Sequence, residues 1–111
     1  MKNNDDLEFL ANNERPEYIL CAAIHYQDGK VHPHQPKNIK SGIVICGRRH
    51  HNCFVPLYSL LGDNYDVTLT ESQGFLTSKD RYVTRKEGAE IAFKSGQIKQ
   101  EQKTMFSEDL Y

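Results

Sequence analysis

The longest run of mainly apolar positions lies between residues 17 and 26. Apolar side chains occupy both alternating sets of positions there, namely Tyr18, Leu20, Ala22 and Ile24 on one side and Ile19, Cys21 and Ala23 on the other. Because successive side chains of a strand point to opposite faces, this pattern is typical of a central strand covered on both sides. We therefore predict a buried strand over 17–26.

Shorter stretches predict the rest of a small sheet. Residues 42–47 are typical of a second buried strand bounded by glycines, and 65–70 alternates like a half-exposed strand. Two further extended pieces, 73–77 and 81–83, flank a turn. Strands this short, joined by turns, favour antiparallel pairing.

The segment after the first strand combines two signals. Asp28-Gly29 is typical of a two-residue hairpin turn, since glycine readily adopts the positive φ of a type I′ turn. The returning residues 30–36 contain two prolines, which cannot donate to a strand ladder. We therefore expect 30–36 to be an edge strand or an extended loop.

One helix is strongly indicated near the carboxyl end. Thr84 and Glu87 form a capping box, in which each side chain accepts an amide hydrogen bond from the other residue. An apolar stripe follows, and Gly96 stands where a helix-terminating residue belongs. An earlier helix is predicted from Leu57, Leu60 and Leu61, with Gly62 as its stop and Pro56 in its first turn.

These elements predict an α+β fold, a small antiparallel sheet packed with two helices in a single domain. The 111 residues suffice for one core, which we assign to 17–111, preceded by a polar amino-terminal arm over 1–16. The tail ends in apolar residues, which we expect to dock on the body or on a second subunit: Met105, Phe106, Leu110 and Tyr111.

Composition restricts the setting of the protein. The longest uninterrupted apolar run, 19–24, is far shorter than the ~20 residues that span a bilayer, so no membrane partner is expected. Three cysteines at irregular spacing make a poor disulfide framework, which favours a reducing, cytoplasmic location. Cys21 and Cys46 are then interpreted as small buried apolar residues.

The charge distribution is more informative than the formal net charge of −1. No acidic residue lies between Asp28 and Asp63, an interval with five lysines or arginines and four histidines. A duplex DNA binder usually carries a strongly basic domain, because each neutralised phosphate releases counterions. Near-neutrality with local basic zones therefore favours a compact anionic ligand over a nucleic acid duplex, although the gap can also be a solvated surface.

Arg48, Arg49 and His50 are candidate anion-binding residues. They lie between a predicted strand and a predicted helix start, where free amides and the helix dipole attract phosphate, and arginine offers two parallel donors to it. The alternative is that both arginines face water. A zinc site using Cys46, His50, His51 and Cys53, or a cysteine nucleophile, remains open, but neither spacing matches a known pattern.

Three further candidates lie later in the chain. Phe75, followed by Arg85, suits base stacking combined with phosphate pairing, although Phe75 can equally anchor the core beneath the second helix. Lys99 and Lys103 would share one face if 98–105 is helical. No paired carboxylates or His-x-Glu motif suggests acid–base catalysis, so the sequence favours binding over turnover, with no catalytic residue, metal or cofactor assigned.

Three parts of the chain carry a family resemblance: 21–25 with 33–39, 42–53 (GIVICGRRHHNC), and 74–85 with the closing 107–111 (SEDLY). Together they resemble small phage proteins of the anti-Thoeris sponge family. Those proteins sequester the cyclic ADP-ribose messenger made by bacterial TIR-domain immunity. The resemblance implies a non-catalytic binder that acts in the cytoplasm of the infected host, with an antiparallel sheet and carboxy-terminal helices.

The resemblance also implies partners and residue roles. The family forms homodimers and homohexamers, binds the messenger in two equivalent pockets at the dimer interface, and in some members also traps cyclic trinucleotides. Phe75 is the best match for a ring stacked on adenine. Arg48 or Arg49, with Lys99 and Lys103, match the phosphate contacts, although lysine in place of arginine weakens bidentate recognition. The alternatives are a small phosphodiesterase using His50 and His51, and a zinc-stabilised interaction module.

Overall fold

The structure, a computed structural model, describes residues 16–64 and 71–110. In chain order its elements are β1 (Ile19–Tyr26), β2 (Ile43–Gly47), α1 (His50–Leu61), β3 (Glu71–Thr77), β4 (Tyr82–Thr84) and α2 (Arg85–Ser95). Short 3-10 turns occupy Gly62–Asn64 and Ser107–Asp109. The predicted α+β class, a small antiparallel sheet with two helices, is confirmed. The arm before Pro16, the predicted strand at 65–70 and Tyr111 lie outside the described residues.

The four strands form one antiparallel sheet in the order β2-β1-β3-β4. The prediction that the first strand is central is confirmed, because β1 pairs with β2 on one side and with β3 on the other. The extended pieces at 73–77 and 81–83 are confirmed as the β3–β4 hairpin. The family resemblance implied that the helices follow the sheet at the carboxyl end. In the structure only α2 does so, because α1 lies between β2 and β3.

Both helices pack on the same face of the sheet. Ala22, Phe75 and Val83 stand opposite one another on three neighbouring strands and form a core with Ala89 and Ala92 of α2, all of them buried. A second core joins β1 and β2 to α1 through Ile24, Tyr26, Cys53 and Leu57. This arrangement brings the amino-terminal ends of the two helices above β3.

Helix α1 differs from its prediction in two respects. It begins at His50, so Pro56 lies inside the helix instead of in its first turn. Pro56 is exposed, and its missing amide leaves the carbonyl of Asn52, also exposed, without an intrahelical partner. Leu60, one of the three leucines from which the helix was predicted, is 59% exposed, because Cys53 and Leu57 occupy the buried side of the helix.

Helix α2 follows its prediction closely. The Thr84 hydroxyl accepts a hydrogen bond from the Glu87 amide, and the Glu87 carboxylate accepts one from the Thr84 amide. Gly96 ends the helix with a φ of 83°, a conformation that glycine adopts without strain. Gln97 follows at once, and its side-chain amide exchanges two hydrogen bonds with the backbone of Ile19, at 2.7 and 2.8 Å.

The segment 27–42 crosses the other face of the sheet and joins its two edges. The Asn38 side chain donates to the Tyr82 carbonyl and accepts from its amide on the β4 edge, and the Gln35 side-chain oxygen Oε1 accepts from the Val44 amide on the β2 edge. Pro36 is buried between these two contacts. Side chains therefore satisfy backbone groups on both edge strands, which blocks further strand addition there.

The predicted hairpin at Asp28-Gly29 is wrong, because the strand that returns along β1 is β2, not 30–36. The two prolines prevent 30–36 from forming a ladder, so the loop alternative is the correct one. Asp28 instead closes a local turn, in which its carboxylate accepts hydrogen bonds from the Lys30 amide and the His32 ring.

Two sets of contacts fix the first and the last parts of the described chain to the body. Glu17 accepts two hydrogen bonds from the Arg81 guanidinium, at 2.7 and 2.9 Å, and one from the Thr77 hydroxyl. Near the other end, Met105 is fully buried and Leu110 packs against the same core. The tail therefore docks on its own domain, while Phe106 remains 48% exposed.

Candidate functional site

The first residues of the two helices are in contact. His50 begins α1 and Arg85 begins α2, and the Arg85 Nη2 atom lies 3.4 Å from His50 Nδ1. Each helix start presents free backbone amides and the positive end of the helix dipole. Two positive helix ends and a guanidinium thus meet above β3, in the arrangement that favours an anion.

The hydrogen bonds of His50 determine its tautomer. Its Nε2 atom lies 2.7 Å from the Gly74 carbonyl, which only accepts, so Nε2 carries the proton and Nδ1 is the acceptor that faces Arg85. Burial lowers the pKa of His50 and the Arg85 charge lowers it further, against opposing effects of the Gly74 hydrogen bond and Glu108. His50 is therefore neutral at pH 7, and both ring nitrogens are engaged.

Arg85 is held by three neighbours. Its Nη2 donates to Gln73 Oε1 at 2.7 Å, it contacts His50, and its Cζ lies 4.7 Å from the centre of the Phe106 ring. The Arg85 Nε atom is buried and has no hydrogen-bond partner within 16–64 and 71–110. The guanidinium is therefore oriented in advance and retains one donor for which the described residues supply no acceptor.

Arg48 and Arg49 immediately precede the first turn of α1. Arg48 is exposed, and Arg49 is the half-buried residue at the start of the helix, where its amide donates to Asn52 Oδ1 at 3.1 Å. No acidic residue lies in the first turn of α1. Four of the predicted site residues, Arg48, Arg49, His50 and Arg85, therefore cluster at the two helix starts.

The structure contradicts the assignment of Phe75 as an exposed stacking ring. Phe75 is fully buried, with its edge against the His50 ring at a centroid distance of 5.2 Å and its Cδ2 beneath Gly88 of α2. The core-anchor alternative is the correct one, because β3 turns the side chain of Phe75 toward the helices. Phe75 supports His50 from below and has no surface to offer a ligand.

Lys99 and Lys103 do not join the cluster. Residues 98–105 are not helical, so the two lysines do not share a helix face. Both are exposed and line separate grooves: Lys103 a groove of about 680 Å³ with Lys86, Glu90 and 101–104, and Lys99 a smaller one with Gln97 and Asp109. The α2 helix ends at Gly96, which is why the expected spacing fails.

The residues proposed for zinc are likewise dispersed. Cys53 is fully buried in the core, while Cys46 and His51 are exposed. Within 16–64 and 71–110, no three metal-ligating side chains come together. Cys46 and half-buried Cys21 are also not the buried apolar residues that the sequence suggested, because they stand on the sheet face that the helices do not cover.

One family model matches residues 18–111, from the residue before β1 through the SEDLY end. It describes the phage T4 y16D protein. The chain belongs to this family. The phage character implied by the sequence resemblance is therefore confirmed at the level of the y16D family, and the match includes every residue of the helix-start cluster. No curated protein and no solved structure matches the chain.

The sequence analysis missed two members of the cluster. Gln73 orients Arg85 from β3, and Phe106 supplies the exposed ring against which Arg85 lies. Phe106 lies next to Met105 in the apolar tail, so the sequence analysis assigned it only to docking of the tail and not to a binding site. The signal available for finding them was Arg85 itself, because it is the first residue of a helix whose start Thr84 fixes, and its neighbours were to be sought around that start.

None of the described helices has the length and apolar composition needed to cross a bilayer.

Proposed function

We propose that the protein is a non-catalytic sponge that binds a cyclic ADP-ribose messenger at the helix-start cluster and so blocks TIR-domain antiphage signalling. The proposal joins the sequence resemblance to one structural observation, the contact between the first residues of α1 and α2. A messenger of this class carries a pyrophosphate and an adenine, which require anion-binding groups and a flat apolar surface.

Arg85 supports the phosphate part of the proposal. Its guanidinium is oriented by Gln73 and His50 before any ligand arrives, which reduces the entropy lost on binding. Arg85 is half-buried, so a phosphate oxygen can reach the N–H groups of its guanidinium that remain exposed. Arg48 and Arg49 add two positive charges immediately before the first turn of α1.

Phe106 replaces Phe75 as the stacking ring in this proposal. It is 48% exposed, and its ring already holds the Arg85 guanidinium at 4.7 Å. A base that stacks on Phe106 would therefore lie beside the guanidinium that binds the phosphate. Stacking of a base on an aromatic side chain contributes roughly 1–3 kcal/mol, which is enough to matter for affinity.

The hydrogen bonds of His50 support binding without turnover. A general base needs an acceptor nitrogen directed at the substrate, but in His50 one nitrogen donates to Gly74 and the other faces Arg85. The hydrolase alternative then depends on His51, which is exposed, and for which no partner that would activate it is apparent among the described residues.

The test is to follow the messenger through binding and release. The purified full-length protein is mixed with cyclic ADP-ribose isomers, freed of excess ligand by gel filtration and then heated, and the released molecule is identified by mass spectrometry. The proposal predicts that one isomer is retained and released intact. Failure to retain any isomer, or release of a cleaved product, would overturn it.

Matched variants locate the binding site. Phe106→Ala is expected to weaken retention while leaving the fold intact, because the side chain is largely exposed. Phe93→Ala is its control, since Phe93 is 41% exposed on α2 but is not part of the cluster. If both variants retain the messenger equally, Phe106 does not stack on the base. Loss of turnover in His51→Ala, should turnover be found, would favour the hydrolase.

A further inference from the structure

Two cysteines stand together on the sheet face opposite the helices. Ala23 of β1 is paired with Cys46 of β2, and directly paired residues share a face. Cys21 lies two positions from Ala23 on the same strand and therefore projects from that face as well. Cys46 is exposed and Cys21 is half-buried.

The two thiols are near neighbours, and each affects the ionisation of the other. This proximity lowers the pKa of Cys21 to about 7 and raises that of Cys46, because the Cys46 thiol donates to a Cys21 thiolate. Part of the Cys21 population is thus ionised at neutral pH, and the thiolate is the reactive form of cysteine. Cys53, by contrast, is fully enclosed in the core, and burial raises the pKa of its thiol to about 11.

We propose that Cys21 and Cys46 are a modification site, a thiol pair that low-molecular-weight disulfides convert reversibly into an intramolecular disulfide. The Cys21 thiolate attacks one sulfur of glutathione disulfide, forms a mixed disulfide and expels one glutathione thiolate. The Cys46 thiol then loses its proton to solvent and attacks the Cys21 sulfur, expelling the second glutathione. Two protein thiols are oxidised, and one glutathione disulfide is reduced to two glutathiones.

Diagonal neighbours on a sheet lie about 7–8 Å apart at Cα, slightly beyond the usual span of a disulfide, so closure requires a small backbone shift. Two features permit it. β2 is a five-residue edge strand, and the pairing of β1 with β3 shifts register between Ile19 and Cys21. Cys46 therefore lies on an edge strand, and Cys21 lies beside an irregularity in the pairing of the central strand.

The disulfide would enclose the segment 27–42, which crosses the sheet between the two strands. Cys46 is also only two residues from Arg48, so oxidation would tie the strand end that leads into α1 to the centre of the sheet. The site is separate from the helix-start cluster, and the proposal does not depend on messenger binding.

The experiment is a titration of the full-length protein with glutathione disulfide, followed by intact mass, thiol counting under denaturing conditions and peptide mapping. We expect the number of free thiols to fall from three to one, with a loss of two hydrogens and a peptide linking Cys21 to Cys46. Reduction should restore all three thiols. Adducts of two glutathiones without a cross-link, or disulfide-linked dimers, would overturn the proposal.

Variants in which one cysteine at a time is replaced test each step. Cys21→Ser should leave Cys46 without its partner and abolish the cross-link, and Cys46→Ser should stop the reaction at a mixed disulfide on Cys21. Cys53→Ala is the matched control and should still form the cross-link, with its fold verified by circular dichroism. A cross-link that persists in Cys46→Ser, or disappears in a folded Cys53→Ala, would contradict the assignment.

Discussion

The backbone of Gly88 in α2 lies directly on the ring of Phe75. A methyl group at position 88 would meet the ring atom Cδ2 at 2.8 Å and the Met105 side chain at 3.6 Å. The close approach of α2 to β3 thus requires glycine at this position, although glycine is a poor helix former. The same contact holds Phe75 under His50 and so positions the base of the helix-start cluster.

Gly88→Ala should therefore destabilise the protein, even though alanine favours helices. We expect a loss of about 1–3 kcal/mol in the free energy of unfolding, since overpacking outweighs the gain of roughly 1 kcal/mol in helix propensity. Urea denaturation measures it. Glu90→Ala, an exposed position on the same helix, serves as control and should change stability little. A stabilised Gly88→Ala variant would show that α2 can move away from Phe75.

Glu17 should make stability depend on acid pH. The Arg81 guanidinium, through its hydrogen bonds, lowers the pKa of Glu17 to about 2, against about 4.3 for an unfolded glutamate. The stabilising contribution is therefore complete above the unfolded value and is lost as the pH falls from about 5 toward 2. Chemical denaturation between pH 7 and pH 3 should show this loss.

Glu17→Gln provides the comparison for this acid effect. It should lower stability at pH 7 by about 1 kcal/mol, because it removes the charge from a partly exposed pair, and its own pH dependence should be shallower. Glu90→Gln is the matched control, since Glu90 is exposed on α2. If Glu17→Gln and the unchanged protein lose stability in parallel on acidification, the pair does not act as described.

Gln97 should contribute to stability through the backbone of β1. Gln97→Ala removes both hydrogen bonds to Ile19 and leaves its amide and carbonyl without those partners. We expect a loss of about 1–3 kcal/mol in thermal or urea denaturation. Gln100→Ala, an exposed glutamine three residues later, should be neutral. Equal stability of the two variants would show that water replaces Gln97 at no cost.

Ligand binding should raise the pKa of His50. The Arg85 charge now contributes to lowering it, and a bound phosphate would counter that charge and favour the protonated ring. NMR titration of the histidine ring protons with and without cyclic ADP-ribose measures the shift, with exposed His51 as internal control. A His50 titration that ligand leaves unchanged would place the phosphate elsewhere.

Local signals in the sequence were sufficient for much of the fold. The capping box at Thr84 and Glu87 predicts the start of α2, and the apolar run predicts central β1, because both depend on residues close in the chain. The segment 27–42 was not predictable in the same way, since Asn38 and Gln35 bind edge strands that only the folded sheet creates.

The candidate site was predictable only in part. Charge and position along the chain identified Arg48, Arg49, His50 and Arg85, because these residues lie at or just before the first turns of the two helices. The side of the sheet to which Phe75 points could not be read from its glycine neighbour, and the structure turns it inward. Phe106 meets Arg85 only because the tail folds back across the start of α2, where the Met105 amide donates to the Arg85 carbonyl.

The central claim is that Arg85 at the meeting of the two helix starts binds a messenger phosphate, and isothermal titration calorimetry tests it most directly. The unchanged protein should bind a cyclic ADP-ribose isomer, and Arg85→Ala should bind it about 10- to 100-fold more weakly, the loss expected for a charge-assisted hydrogen bond. Lys86→Ala, the adjacent exposed cation, should bind normally. Equal affinity of a folded Arg85→Ala and the unchanged protein would contradict the account.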